Sequence, residues 1–260
     1  MAVIANGLPV AALAEPGHFL LVNDRIASPG QFILHHILAG ALKDVSATCV
    51  LVSFLEPLDH WKSIQNKMGV ALPTYASRKS FIFVDAFSQI TMPPTSPRSQ
   101  DSLVVPPIDP DSPVPLRPLF DTIMGAVRSA DPELPKLVLF DEVSLLEWLV
   151  PNQVEVTRFW RAVLALKEKL GFGLVVLQSL DASQSAMVDL LVSSSTMHLE
   201  ISALASGRSS AVTGEIALQR GPLSLPDDAS YKAARKQALQ YRLTESGAVW
   251  IERGTGGGML

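Results

Sequence analysis

The chain has 260 residues, of which 48% are hydrophobic and 18% charged, with a formal net charge of −4. That length buries a sizeable core in one large domain or two small ones. The mild acidity excludes a chain-wide attraction for nucleic acid and leaves only local basic patches for that role. So few charges also predict that part of the surface is covered by a partner protein.

The leading MAVIANGLPVAALAEPG has no positive start and no continuous apolar centre, so it does not read as a secretory signal. Strands are predicted at His18–Asn23, Thr48–Ser53, Phe81–Asp85, Lys136–Phe140 and Gly173–Gln178, each a short and nearly continuous apolar run. Such runs are the mark of strands buried on both faces. The lone cysteine, Cys49, falls in the second run, so an internal disulfide is excluded and a buried thiol in a reducing compartment is expected.

Helical periodicity lies between the strands. After Pro29, a good first helical residue, Ile33, Ile37 and Ala41 form one stripe and Leu34, Leu38 and Leu42 another. Asp59 to Met68 reads as a second helix stopped by Gly69, and Val156 to Leu170 as a third. Alternating buried strands and helices predict an α/β fold with a mainly parallel sheet covered on both faces. Toward the end, Met197–Leu204 with Gly214–Arg220, and Gln240–Leu243 with Ala248–Glu252, bracket polar turns and read as hairpins. They add antiparallel edge strands to the sheet.

Nine of the nineteen prolines fall between Thr91 and Pro118. This stretch is expected to be a disordered, solvated insertion at 91–118 within a single domain spanning 1–260, because sheet elements resume after it. The glycine-rich tail 254–260 is expected to be flexible. No apolar run reaches the ~20 residues of a membrane span, and the setting expected is cytoplasmic, or nuclear as well.

The turn after the first strand, RIASPGQF, has the place of a phosphate loop and lacks its chemistry. On the spacing GxxxxGK[ST], Gly30 takes the second glycine, Arg25 the first, Gln31 the lysine and Phe32 the hydroxyl that would hold magnesium. Pro29 withdraws a further N–H from the cradle. Each hydrogen bond to a charged group is worth about 1.5–3 kcal/mol, so these losses predict that no triphosphate binds here and no cofactor is held. Asp141 and Glu142, ending KLVLFDE, echo a magnesium-binding acid with a water-polarising neighbour. The plainer expectation is that Asp141 caps a short helix over Val143–Leu149. Glu56, after the second strand, is expected to be an exposed loop acid. His18, His35, His36, His60 and His198 have no metal-ligand spacing, and no GxSxG elbow occurs.

Three phrases, PGHFLLVNDRIASPGQFILHHILAG, CVLVSFLEPLDHWKSIQNKMGVAL and FIFVDAF, resemble the Elongator subunit 6 family, and HLEISALASGRSSAVTGEIALQRGP resembles that family's closing strands. The resemblance implies a RecA-like fold, that of P-loop NTPases but lacking a functional Walker A lysine, and a pseudo-ATPase without catalytic residues. It also implies a heterohexameric ring with Elongator subunits 4 and 5. That ring docks on the catalytic Elongator subcomplex, binds tRNA and supports modification of the wobble uridine, U34.

Loops after the central strands face the pore of RecA-like rings; here Val150–Thr157 and Leu180–Ser185 contain no lysine or arginine, which phosphate contact requires. The candidates for interface or RNA contact are therefore Arg78, Lys79, Arg208, Arg220, Lys232, Arg235 and Lys236, with Arg242 in the same basic run; a solvated surface is the plainer reading of each. Two alternatives remain open. One is a RecA-like recombination paralogue, and the other a doubly wound enzyme, either a divergent nucleotidase using Glu56 and Asp141 or a methyltransferase. The missing GxGxxG turn counts against the methyltransferase.

Overall fold

A computed structural model describes residues 8, 10–86, 102–106, 108–109, 111–180, 185–204, 207, 209, 211–224, 238–245 and 247–251. The strands are β1 (Phe19–Asp24), β2 (Thr48–Ser53), β3 (Phe81–Asp85), β4 (Ser102–Val104), β5 (Lys136–Asp141), β6 (Gly173–Ser179), β7 (Met197–Ser202), β8 (Gly214–Arg220), β9 (Leu239–Thr244) and β10 (Gly247–Ile251). They form one sheet in the order β10-β9-β8-β7-β1-β6-β5-β2-β3-β4. From β7 to β4 every pairing is parallel, and β8, β9 and β10 extend the sheet antiparallel.

The helices are α1 (Val10–Leu13), α2 (Gln31–Gly40, prolonged by a π-turn over Ala41–Val45), α3 (Leu58–Lys67), α4 (Leu72–Ser77), α5 (Arg117–Ser129), α6 (Leu145–Leu149), α7 (Gln153–Leu170) and α8 (Ala186–Ser194). None of the described helices is long and apolar enough to cross a membrane. Successive strand residues point to opposite faces, so Leu20 and Val22 enter a core with α1–α4, while Phe19 and Leu21 enter a second core with α5–α8. Each core holds a fully buried tryptophan, Trp61 in the first and Trp160 in the second. Removing either side chain would cost about 3–5 kcal/mol.

Three local features follow from the sequence. The double stripe of α2 buries Ile33, Leu34, Ile37 and Leu38 completely, and the helix ends where Ser46 turns left-handed at φ 56°. Gly173 opens β6 directly beneath α1; a Cβ there would stand 1.7 Å from the carbonyl oxygen of Leu13, closer than any side chain permits. Asn152 caps α7 by accepting from the N–H of Val154, and Gly171 closes that helix at φ 63°.

Two parts of the proline-rich stretch depart from the expected solvated insertion, while Pro106, Asp109, Asp111, Pro113 and Val114 are exposed. Ser102–Val104 pairs with β3 as the outermost strand, and Val105 and Leu116 are buried in the second core. An edge strand tolerates neighbouring prolines because its outer N–H groups have no partner to lose. Arg117 and Pro118 already belong to α5, with the proline in the first turn, where a missing N–H costs nothing. The earlier part of the stretch and the tail 254–260 lie outside the described residues.

Candidate functional site

The parallel strands all end at one edge of the sheet, and the turn between β1 and α2 lies there, where open α/β sheets place their ligands. Asp24, the last residue of β1, is 6% exposed, and its Oδ2 accepts the N–H of Gly30 at 2.7 Å. Arg25 and Ser28 bridge beneath an exposed Ile26, and the Ser28 N–H donates to the Arg25 carbonyl at 2.8 Å. A carboxylate therefore stands at the amino end of α2, where the helix dipole and free N–H groups favour an anion. It is the chain's own. Glu142, half-buried and left-handed at φ 43°, lies close enough that burial first, and then the charge of Asp24, raise its carboxyl above the usual range.

The following residues are occupied in the same way. A side chain at Gly30 would have to displace its neighbours: a Cβ would come within 2.5 Å of Ile201 Cδ1 and 3.2 Å of Leu177 Cδ1. Phe32, at the position that would hold a magnesium ligand, stacks on Tyr241 of β9 with ring centres 4.7 Å apart and planes at 29°. Trp250 of β10 flanks it at 6.2 Å. Burial, and the charge of Asp24, push the Tyr241 hydroxyl up to about 12. His36 completes the docking, its Nε2 accepting the N–H of Ala248 at 2.8 Å. The final hairpin thus packs over the start of α2. Gln31, at the lysine position, lines a pocket between the end of α3 and the β9–β10 turn.

Asp141 does not cap α6, contrary to expectation. The helix begins at Leu145 with no side-chain cap. The carboxyl of Asp141 is fully buried and turns instead to the end of β2, where Oδ1 accepts the N–H groups of Phe54 and Leu55 and Oδ2 meets the hydroxyl of Ser53. Burial outweighs these hydrogen bonds and pushes its pKa up to about 7. The Ser53 hydroxyl also lies 2.7 Å from the Glu56 carbonyl and accepts the indole N–H of Trp61 at 3.3 Å. These contacts lock β2 to β5. Glu56 is half-buried rather than freely exposed, with His60 3.7 Å away.

The basic candidates gather elsewhere. Arg78 and Lys79 are exposed just before β3, with Lys79 left-handed at φ 58°. Arg220 is exposed at the end of β8 and pairs with Met197, the first residue of β7. All three lie at the amino ends of the parallel strands, the edge opposite the β1–α2 loop. Arg242 is exposed on β9. Arg208, Lys232, Arg235 and Lys236 lie outside the described residues, as does most of Leu180–Ser185.

Two features escaped the sequence. The contact of Asp24 with Gly30 carried no signal because its donor is a backbone N–H. The other is a set of uncovered apolar side chains at the carboxyl edge: Ile26 is 82% exposed, Trp148 81%, Val154 64% and Leu55 40%. They follow β1, β5 and β2. With β6 lying between β1 and β5, the set spans a few strand spacings of about 4.8 Å.

Comparison with known proteins agrees with this architecture. The solved structures it resembles include a KaiC-like protein from Pyrococcus horikoshii, with TM-score 0.62, 8% identity, and 91% of this chain and 90% of that one covered. An uncharacterized protein from the same archaeon, solved in complex with an unknown peptide, gives TM-score 0.61 and 14% identity over 92% and 94%. At such identities the likeness establishes the fold, which is RecA-like. The Elongator complex protein 6 homolog of Schizosaccharomyces pombe is 24% identical over 253 residues, covering 93% of this chain and 94% of that protein. The sequence model of the family described as Elongation complex protein 6 matches residues 9–245, nearly the whole length, and the chain belongs to that family.

Proposed function

We propose that this chain is a non-catalytic subunit of Elongator, placed with Elongator subunits 4 and 5 in a heterohexameric RecA-like ring. The ring binds tRNA, docks on the catalytic subcomplex and supports modification of the wobble uridine, U34. One observation carries the reading: a phosphate loop already occupied by Asp24 shares its edge of the sheet with uncovered apolar side chains. A second anion there meets Asp24 and Glu142 in place of a lysine, and the magnesium position holds an aromatic stack. Trp148, in contrast, invites a protein surface. Covering one tryptophan removes roughly 150–250 Å² from water, worth about 4–6 kcal/mol at 25 cal/mol/Å².

In this reading the subunit contributes shape to its neighbours, and nucleotide turnover belongs to other chains. Contact with a neighbouring subunit or with the RNA backbone falls to Arg78, Lys79, Arg220 and Arg242, together with Arg208, Lys232, Arg235 and Lys236, since phosphate contact draws on Lys and Arg. Native mass spectrometry of the tagged chain, purified from its own cells, tests the assembly. The expected species contains two copies each of this chain and of two RecA-like companions. A lone monomer, or tight ATP binding by the isolated chain, overturns the proposal.

A further inference from the structure

Cations at the two edges of the sheet differ in what they touch. Toward the carboxyl edge Lys62 pairs with Asp59, Arg117 with Asp121 and Arg158 with Glu155, at 3.7, 2.8 and 2.7 Å. At the amino edge Lys43 lies in the turn into β2, Arg78 and Lys79 in the turn into β3, and Lys136 opens β5. Arg128 stands in the last turn of α5 and Lys169 in that of α7. None of these side chains meets a carboxylate among the described residues. Lys43 and Lys136 reach only backbone carbonyls, of Met68 and Pro132, each at 3.4 Å.

Backbone pairing gathers them into one strip. The Thr48 N–H donates to the Pro135 carbonyl at 2.8 Å and the Cys49 N–H to the Ser80 carbonyl at 2.9 Å, so Lys136 and Lys79 flank the start of β2. The neighbouring strands β6, β5, β2 and β3 begin within three spacings, about 15 Å. Lys43 approaches from the side of the first core, and Arg128 and Lys169 from the side of the second. All but Lys136 are exposed. The acids of the same edge, Glu15, Asp44, Asp131 and Glu133, are fewer, and Glu168 is taken by Lys167. Helix dipoles account for Arg128 and Lys169. Lys79 and Lys136, in a turn and on a strand, have no such reason.

Along this strip no large apolar side chain is exposed among the described residues. A protein interface buries an apolar centre, whereas nucleic-acid interfaces are polar and positively charged. We infer that the starts of β6, β5, β2 and β3 form the face on which this chain meets RNA. Its unpaired cations contact backbone phosphates, and no base is read. This placement rests on the reading of the chain as a subunit of an RNA-binding ring, and it adds the face the RNA takes. That face is the edge opposite Ile26 and Trp148, so RNA and protein partners occupy different edges. Arg220, four strand spacings from β5, falls outside it.

The complex carrying this chain, purified from its own cells, is titrated into a fluorescein-labelled tRNA transcript and followed by anisotropy between about 50 and 200 mM salt. Lys79→Glu combined with Lys136→Glu should weaken binding by about tenfold or more. The salt slope should become shallower by about 1.5 for each copy of the chain engaged. Lys79→Gln with Lys136→Gln, which removes charge without reversing it, should take a smaller step in the same direction. Arg117→Glu with Arg158→Glu, at the far end of their helices, should change affinity by less than about twofold, because charges beyond a Debye length are screened. Unchanged affinity in both amino-edge variants, or an equal loss in the carboxyl-edge control, overturns the inference. So does displacement of the transcript by polyglutamate as readily as by polyuridylate of equal charge, which marks an acidic protein as the occupant. Native mass spectrometry of the same samples judges the assembly separately: missing RecA-like companions refute the ring, while the anisotropy still tests the face.

Discussion

Replacing Asp141 by asparagine should leave the fold intact and remove a pH dependence that the wild-type chain carries. The Ser53 hydroxyl has one hydrogen but lies within bonding distance of two oxygens, the Glu56 carbonyl and Asp141 Oδ2. The conflict disappears if Asp141 is protonated and donates to Ser53, which then donates to Glu56. A neutral acid agrees with a pKa raised by burial from 3.8 to about 7. Because the folded-state value is raised, the stabilisation is complete below the ordinary aspartate pKa and is lost as pH climbs through about 7. Integrating between those two values, the wild-type chain loses about 2.5 kcal/mol from pH 5 to pH 8 that the asparagine variant keeps. Asparagine reproduces the donor to Ser53 and the acceptor for Phe54 and Leu55. One amide hydrogen is left over, a cost of about 1 kcal/mol at every pH. Alanine strands the N–H groups of Phe54 and Leu55 and should cost about 2–5 kcal/mol. Urea midpoints followed by tryptophan fluorescence at pH 5 and pH 8 measure the difference. A gap between wild type and Asp141→Asn that stays constant within about 0.5 kcal/mol would refute the protonated acid.

Histidine gives the opposite slope. His35 has a depressed pKa near 3, so its share of stability is present above about 6.5 and falls by about 2 kcal/mol from pH 8 to pH 5; urea titration of His35→Phe should show a flatter acid limb. Protonating His36 ends its bond from Ala248, so acid should also loosen the final hairpin, seen as a lower exchange protection factor at Ala248. Restoring a lysine with Gln31→Lys should not produce ATP binding tighter than about 1 mM in equilibrium dialysis, because Asp24 and Phe32 still fill the loop. Trp148→Glu should change the stability of the isolated chain by no more than about 0.5 kcal/mol yet abolish co-purification with the ring partners. Gly173→Ala should cost more than about 3 kcal/mol by displacing α1, visible as a lower urea midpoint.

What the sequence disclosed and what it hid divide along a physical line. β2 and β3 match their predicted ends because continuous apolar runs between polar residues leave little choice of boundary. α2 was legible from its double stripe. α5 was not, because Arg117 opens it directly from a proline-rich run that pointed to a solvated loop, and only the burial of Val105 and Leu116 shows how that run is anchored. The role of Asp141 was misjudged because its partners belong to the end of β2, far away in the chain. Capping is a local rule, and it lost to a tertiary one. The same holds for Phe32, whose stack on Tyr241 joins residues from opposite ends of the chain.

Gly30 joins these two scales. Its place in the loop looks like a remnant of phosphate binding, in which glycine lets a ligand approach the backbone. Here the space a Cβ would take is filled by Ile201, the Cβ of Asp24 and Leu177, at 2.5, 3.1 and 3.2 Å. Glycine thus suits the packing of strands β7, β1 and β6 against the start of α2, sparing the side chains of Ile201 and Leu177 a shift, whether or not an anion binds. A loop can lose its lysine and hydroxyl and still keep this residue, because packing on the sheet favours it without any ligand. The sequence echo of a phosphate site therefore measures how tightly the helix sits on the sheet. Chemistry in that loop would have to be inferred from Asp24, Gln31 and Phe32, and each of those three already faces the chain's own atoms or the neighbouring cavity.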